Sequence, residues 1–250
     1  MRIDWKWLLL AALLVTVPAA LAAQTADTLV ITAQPSTTQA NAAFTVEVQA
    51  QDSTMSFALD TGFTGTVTLT INSGPGSLGG TTSLAASGGI ASFTTLTLDT
   101  IGTVTLDADS TGLATGTTTG IAVTADRLVV TAQPSNAQAN ATISTITVAA
   151  RDGNGNTDSS FTGNIGVAIN SGGGSLSGTT PVAASSGTAD FTDLAITTVG
   201  TKDLIFTATG LTSATSNTFD ITADRLIVTT QPANTTAGQT MANVVVEAQD

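Results

Sequence analysis

Apolar and polar residues take turns along this chain. Phe44, Val46, Val48 and Ala50 alternate with Thr45, Glu47 and Gln49. Val67, Leu69 and Ile71 alternate with Thr68 and Thr70, and Val104, Leu106 and Ala108 with Thr105 and Asp107. A period of two places the apolar set on one face of a β-strand and the polar set on the other. Thr fills many of the outward positions, where a β-branched side chain suits a pleated surface. Clusters of Gly, Ser and Asn punctuate the runs, as turns require. Beyond the first two dozen residues no 3.6-residue period is sustained. In the first hundred residues the pattern predicts strands beginning near Leu29, Phe44, Val67, Thr81, Ile90, Val104 and Thr117. About seven short alternating strands in that length predict an all-β antiparallel sandwich of two sheets.

The pattern then recurs. DTLVITAQPS at Asp27 returns as DRLVVTAQPS at Asp126 and as DRLIVTTQPA at Asp224. FTGTVTLTINSGPGSLGGTT at Phe63 matches FTGNIGVAINSGGGSLSGTT at Phe161, and Phe93 matches Phe191. The expected organisation is repeat one over 26–125, repeat two over 126–223, and the first two strands of a third over 224–250. A β-solenoid would need a far shorter repeat. Pro35, Pro134 and Pro232 follow the opening strand in each copy, at a place where a missing N–H costs no ladder bond. Only Ala125 and Asp126 separate the last strand of repeat one from the first of repeat two, which predicts a semi-rigid row of modules. Two strands cannot close a core, so residues 224–250 are expected to belong to a longer array.

The start of the chain reads as an export signal. Arg2 and Lys6 precede the apolar run Leu8–Val17, Pro18 breaks it, and Ala20-Leu21-Ala22 offers a small-x-small cleavage site. The run is short for a membrane span of about 20 residues. Residues 1–22 are therefore expected to be removed, which leaves a secreted or surface-displayed chain with no membrane span.

The formal charge is −12. After the leader the basic residues are Arg127, Arg151, Lys202 and Arg225, so no cationic footprint for nucleic acid exists. There is no His and no Cys, which removes a Ser-His-Asp triad, a disulfide framework and His- or thiolate-bound zinc. No Trp or Tyr follows the leader, so the usual stacking platform for sugars is missing too.

The opening DRLVVTAQPS, the RDGNGN turn, FTG, SGGGSLSG, TADFTDLAI and TATGL resemble bacterial immunoglobulin-like repeats. Similar modules occur in filamin-type and invasin- or intimin-type surface proteins. The resemblance covers both full repeats and the partial third. It implies tandem immunoglobulin-like sandwiches that serve as extracellular spacers or adhesin stalks, with a protein or cell-surface partner met elsewhere in the chain. It carries no catalytic residue.

Three places invite chemistry. In RDGNGNTDSSFTG, Asp152, Asn154, Asn156 and Asp158 alternate like the early ligands of a calcium loop. Thr157 stands where that loop needs Gly, and Gly163 where it needs Glu. A Gly/Asn turn accounts for the same residues. Asp126 and Asp224, at the module junctions, invite either a stiffening cation or local pairing with the adjacent Arg. Asp107 and Asp109 lie two apart on one strand face, the spacing of paired carboxylates, but repeat two has Ile205 and Thr207 there. Phe57 sits in an insertion that repeat two lacks. The reading is a non-enzymatic adhesin stalk or spacer, with two alternatives. One is an accessory spacer of a larger exported enzyme. The other is a calcium-dependent binding module.

Overall fold

The computed structural model describes residues 25–250; the expected export signal at 1–22 lies outside them. The chain is all-β and builds tandem immunoglobulin-like sandwiches. Among the described residues the 3-10 turn Ser53–Met55 stands alone between the strands.

In the first module one sheet runs through the strands Thr28–Ala33, Phe44–Asp52, Ile90–Leu98 and Leu78–Gly79, with Ala58–Leu59 beside Phe44–Asp52. The facing sheet runs through Thr37–Gln39, Ile121–Thr124, Gly102–Asp109, Thr66–Ser73 and Ser83–Ala85. Thr37–Gln39 and Ile121–Thr124 pair in parallel, with Thr37 opposite Ala122. The other strand pairs in the module are antiparallel. The alternating residues turn inward as the period predicts. Val46, Val48, Ala50, Val67, Leu69, Val104, Leu106 and Ala108 are all buried, around Phe93 and Leu96.

The second module repeats the plan. Arg127–Ala132, Ile146–Arg151 and Thr188–Phe191 form one sheet; Ala137–Gln138, Phe219–Thr222, Gly200–Thr207, Asn164–Ser171 and Val182–Ala183 form the other. Its own core gathers Leu128, Ile146, Val148, Leu204, Phe206, Phe219 and Ile221. Phe191 and Phe206 meet with ring centroids 5.3 Å apart and planes tilted by 55°, an arrangement favoured by the ring quadrupoles. Fully burying one such side chain stabilises a fold by about 1.5–3 kcal/mol.

The strand Ile121–Thr124 ends two residues before Arg127–Ala132 begins, so no free linker intervenes. Residues 224–250 form one antiparallel pair, Arg225–Thr230 with Val245–Gln249. The apolar face of that pair is uncovered. Leu226 is 73% exposed, whereas its counterparts Leu29 and Leu128 are 2% and 3% exposed. Among the described residues no helix is long and apolar enough to cross a membrane.

Candidate functional site at the module junction

The RDGNGN turn proves to be a joint. It follows the strand Ile146–Arg151 and projects towards the preceding module. Asp152 is buried there. Its Oδ2 accepts the backbone N–H of Ile101, in the first module, at 3.0 Å. The same oxygen accepts the Asn156 side-chain amide at 2.8 Å. Oδ1 accepts the N–H groups of Asn154 and Asn156 at 3.0 and 2.9 Å. One carboxylate thus closes its own turn and holds the neighbouring module. Burial alone would push its carboxyl up, but the donors of Ile101, Asn156 and Asn154 outweigh that and hold it below the usual carboxylate range.

Asn154 adds a second tether. Its amide donates to Thr100 Oγ1 at 2.9 Å and to the Asp99 carbonyl at 3.2 Å. From the other direction, Gln39 Nε2 of the first module donates to the Gly210 carbonyl of the second at 2.8 Å. It also reaches the carbonyl of Ala125 in the connection at 3.3 Å. Ile101 packs against the core of the second module. The approach is close: a Cβ placed on Gly153 would lie 3.3 Å from Arg127 Nη2 and 3.7 Å from Asn41 Nδ2.

The receiving loop is held in turn. Asp99 accepts the Ser77 hydroxyl at 2.6 Å and the Ser77 N–H at 2.8 Å, and these bonds draw its carboxyl below the usual range.

Asp126 pairs with the adjacent Arg127 through two nitrogens, each at 2.8 Å. That pairing first, and then Asn41 Nδ2 at 3.4 Å, hold the Asp126 carboxyl below its ordinary value against a partial desolvation.

The four residues of the calcium-like pattern share this turn, and the oxygens of its two carboxylates accept hydrogen bonds. Asp158 accepts the Ala125 N–H at 3.0 Å, the Ser160 N–H at 3.0 Å and the Ser160 hydroxyl at 2.5 Å. With Asp152 also saturated by donors, the two carboxylates serve as turn caps. Among the described residues no group of three or more His, Cys, Asp or Glu is placed to hold a metal ion. Asp107 and Asp109 likewise each take a threonine hydroxyl, from Thr117 at 2.6 Å and Thr115 at 2.5 Å. Phe57 is 59% exposed, on backbone with φ 58°.

A cleft of about 340 Å³ lies beside the joint, lined by Gln39, Ala125, Asp158, Phe161 and Leu211 among others. Of its polar groups, Gln39 is spent on the junction and Asp158 caps its own turn and holds the Ala125 N–H.

Sequence reasoning marked the turn and missed its target, because Ile101 offers only a backbone N–H, 51 residues away. It also missed Gln39 and Asn41, which look like any polar turn residues.

No protein-family profile matches this chain, and no curated protein does. Several solved structures resemble it distantly. Invasin, a bacterial integrin-binding protein, is 20% identical with a TM-score of 0.32, over 81% of this chain and 42% of its own. The surface-layer protein SbsC, domains 4–9, is 15% identical with a TM-score of 0.30, over 83% of this chain and 33% of its own. A β-glycosidase from Bacteroides vulgatus is 14% identical with a TM-score of 0.32, over 79% of this chain and 25% of its own. The chain thus spans between 25% and 42% of these three chains. Likeness at this level concerns fold and not activity.

Proposed function

We propose that the modules form a spacer, or adhesin stalk, in an exported or surface-displayed bacterial protein. The work is mechanical: sandwiches in series hold another part of the protein away from the cell. One observation carries the reading, the hydrogen bond from Ile101 N–H to Asp152 across a connection of two residues. Domains in one chain move against each other by default unless their interface resists it. Side chains here resist it at several points at once. The acidic, Thr-rich surface of each module suits export and discourages association with anionic membranes or nucleic acid.

Reach is the property to test. The modules are placed between a membrane anchor and a binding domain on a bacterial surface, and capture of beads bearing the ligand is counted. Capture should fall when residues 126–223 are deleted, and should recover less well with a Gly/Ser segment of the same residue count. Capture that ignores the deletion sinks the spacer reading.

A further inference from the structure

The joint is written twice. In the second junction Asn140 occupies the place of Asn41, and its Nδ2 donates to Asp224 Oδ2 at 3.2 Å. Val199 occupies the place of Ile101, and its N–H donates to Asp250 Oδ2 at 3.0 Å. Asp224 and Arg225 stand together as Asp126 and Arg127 do, 3.9 Å apart. The receiving side is also repeated in its backbone. Asn41 and Asn140 both have φ 61°, a left-handed conformation that Asn tolerates better than most residues. Each donates its own N–H to the strand beside it, to Leu98 and to Ile196.

The start of the first module differs. Thr28 stands where the other copies have Arg127 and Arg225, and Asp52 follows Asp27 by 25 residues instead of 26. Both of its carboxylates turn onto local partners. Asp27 accepts the Ser53 hydroxyl at 2.6 Å and the Ser53 N–H at 2.9 Å. Asp52 accepts the Thr54 hydroxyl at 2.5 Å and the Thr54 N–H at 2.9 Å.

We infer that the trailing end of each module is a docking face for the leading end of another module of its own class. The fitting partner carries an Asp-Arg pair with a second aspartate 26 residues on. The asparagine amide meets the first aspartate. The loop N–H of Ile101 or Val199 meets the second. Two contacts beside the covalent connection, each holding one aspartate of the incoming module, restrain its orientation, so successive modules share one relative orientation. The leading end of the first module lacks the Arg and the spacing, and does not fit such a face. This inference deepens the spacer reading but rests on geometry alone: a chain found to support an enzyme would keep the same joint.

The test is independent of adhesion. The sequence has no Cys, so Thr111→Cys, in an exposed turn of the first module, gives one site for a paramagnetic lanthanide tag on the full chain. Pseudocontact shifts and residual couplings then report the alignment of each module. A fixed joint gives both modules the same alignment tensor. Asn41→Asp sets a like charge against Asp126, and Asn154→Ala removes the tether to Thr100. Both residues are exposed, so each module should keep its own melting behaviour. In the double variant the tensor of the second module should shrink by about twofold or more, as for independently moving domains. A wild-type second module whose tensor is already reduced overturns the proposal. So does a double variant with undiminished alignment.

Discussion

Lys202 Nζ lies 2.6 Å from the carbonyl oxygen of Gly172, inside the second module. The side chain is only 1% exposed. Its ammonium also donates to the Val199 carbonyl at 3.2 Å and to Thr198 Oγ1 at 3.3 Å. The lysine therefore ties down the very loop whose Val199 N–H donates to Asp250. The first module has Val104 at this place and steadies its loop through Asp99 and Ser77 instead. Replacing Lys202 by Met leaves those acceptors without their donor. The second module should lose about 1–3 kcal/mol, the cost of stranding buried polar groups, while the first is unmoved. Urea unfolding followed by module-specific amide resonances reads the two separately.

The two cores are separate clusters, so damage should stay local. Phe93→Ala and Phe191→Ala each remove a ring that is 1% exposed. Each should cost its own module about 3–5 kcal/mol. Calorimetry should show one transition falling and the other holding. A shared fall in both variants would mean that the joint couples the modules more tightly than its hydrogen bonds imply.

Acid should loosen the molecule at its joint. Asp126 and Asp152 both have folded-state values depressed below 3.8. A depressed carboxylate stabilises the fold fully above its unfolded value, and that contribution fades as the pH falls through the lower folded value. Stability and module alignment should therefore be flat from neutral pH down to about 4 and decline below it. Asp152→Ala should flatten the decline, read by thermal melts across that range.

Calcium should be without effect. The Asp152 and Asp158 oxygens already accept N–H and O–H donors. Melts in calcium and in chelator should coincide. A rise of several degrees with calcium would show that the turn reorganises around a cation.

The strand pair at 224–250 should make the chain sticky. Leu226, Val228, Val244, Val245 and Val246 are exposed, and the strand Val245–Gln249 offers an unpaired edge of the kind that templates association. A chain ending at residue 223 should sediment as a monomer at concentrations where the longer one self-associates. Equal behaviour would mean that the apolar face is harmless.

Much of this fold was legible in the chain. The alternation at Phe44–Ala50 and Val104–Ala108 declared which residues turn inward, and the spacing of Phe93 and Phe191 declared that the plan recurs. The short strands Ala58–Leu59 and Leu78–Gly79 were blurred, because two paired residues leave no period to read. Lys202 was hidden for a different reason. A lysine in an alternating strand reads as solvent-facing, and only the carbonyls of Gly172 and Val199, brought in by the fold, make its burial tolerable. The RDGNGN turn announced itself as a turn. Its grip on Ile101 could not be seen, since a backbone N–H leaves no mark on a sequence.

The parallel pairing of Thr37–Gln39 with Ile121–Thr124 joins a segment near one terminus of the first module to the strand that leaves by the other. A tug applied at both termini would load that pair lengthwise. Its hydrogen bonds would share the tension and have to give way together, instead of peeling open one by one. A row of such units would stay taut under drag, and would lengthen only when a whole bead unravels.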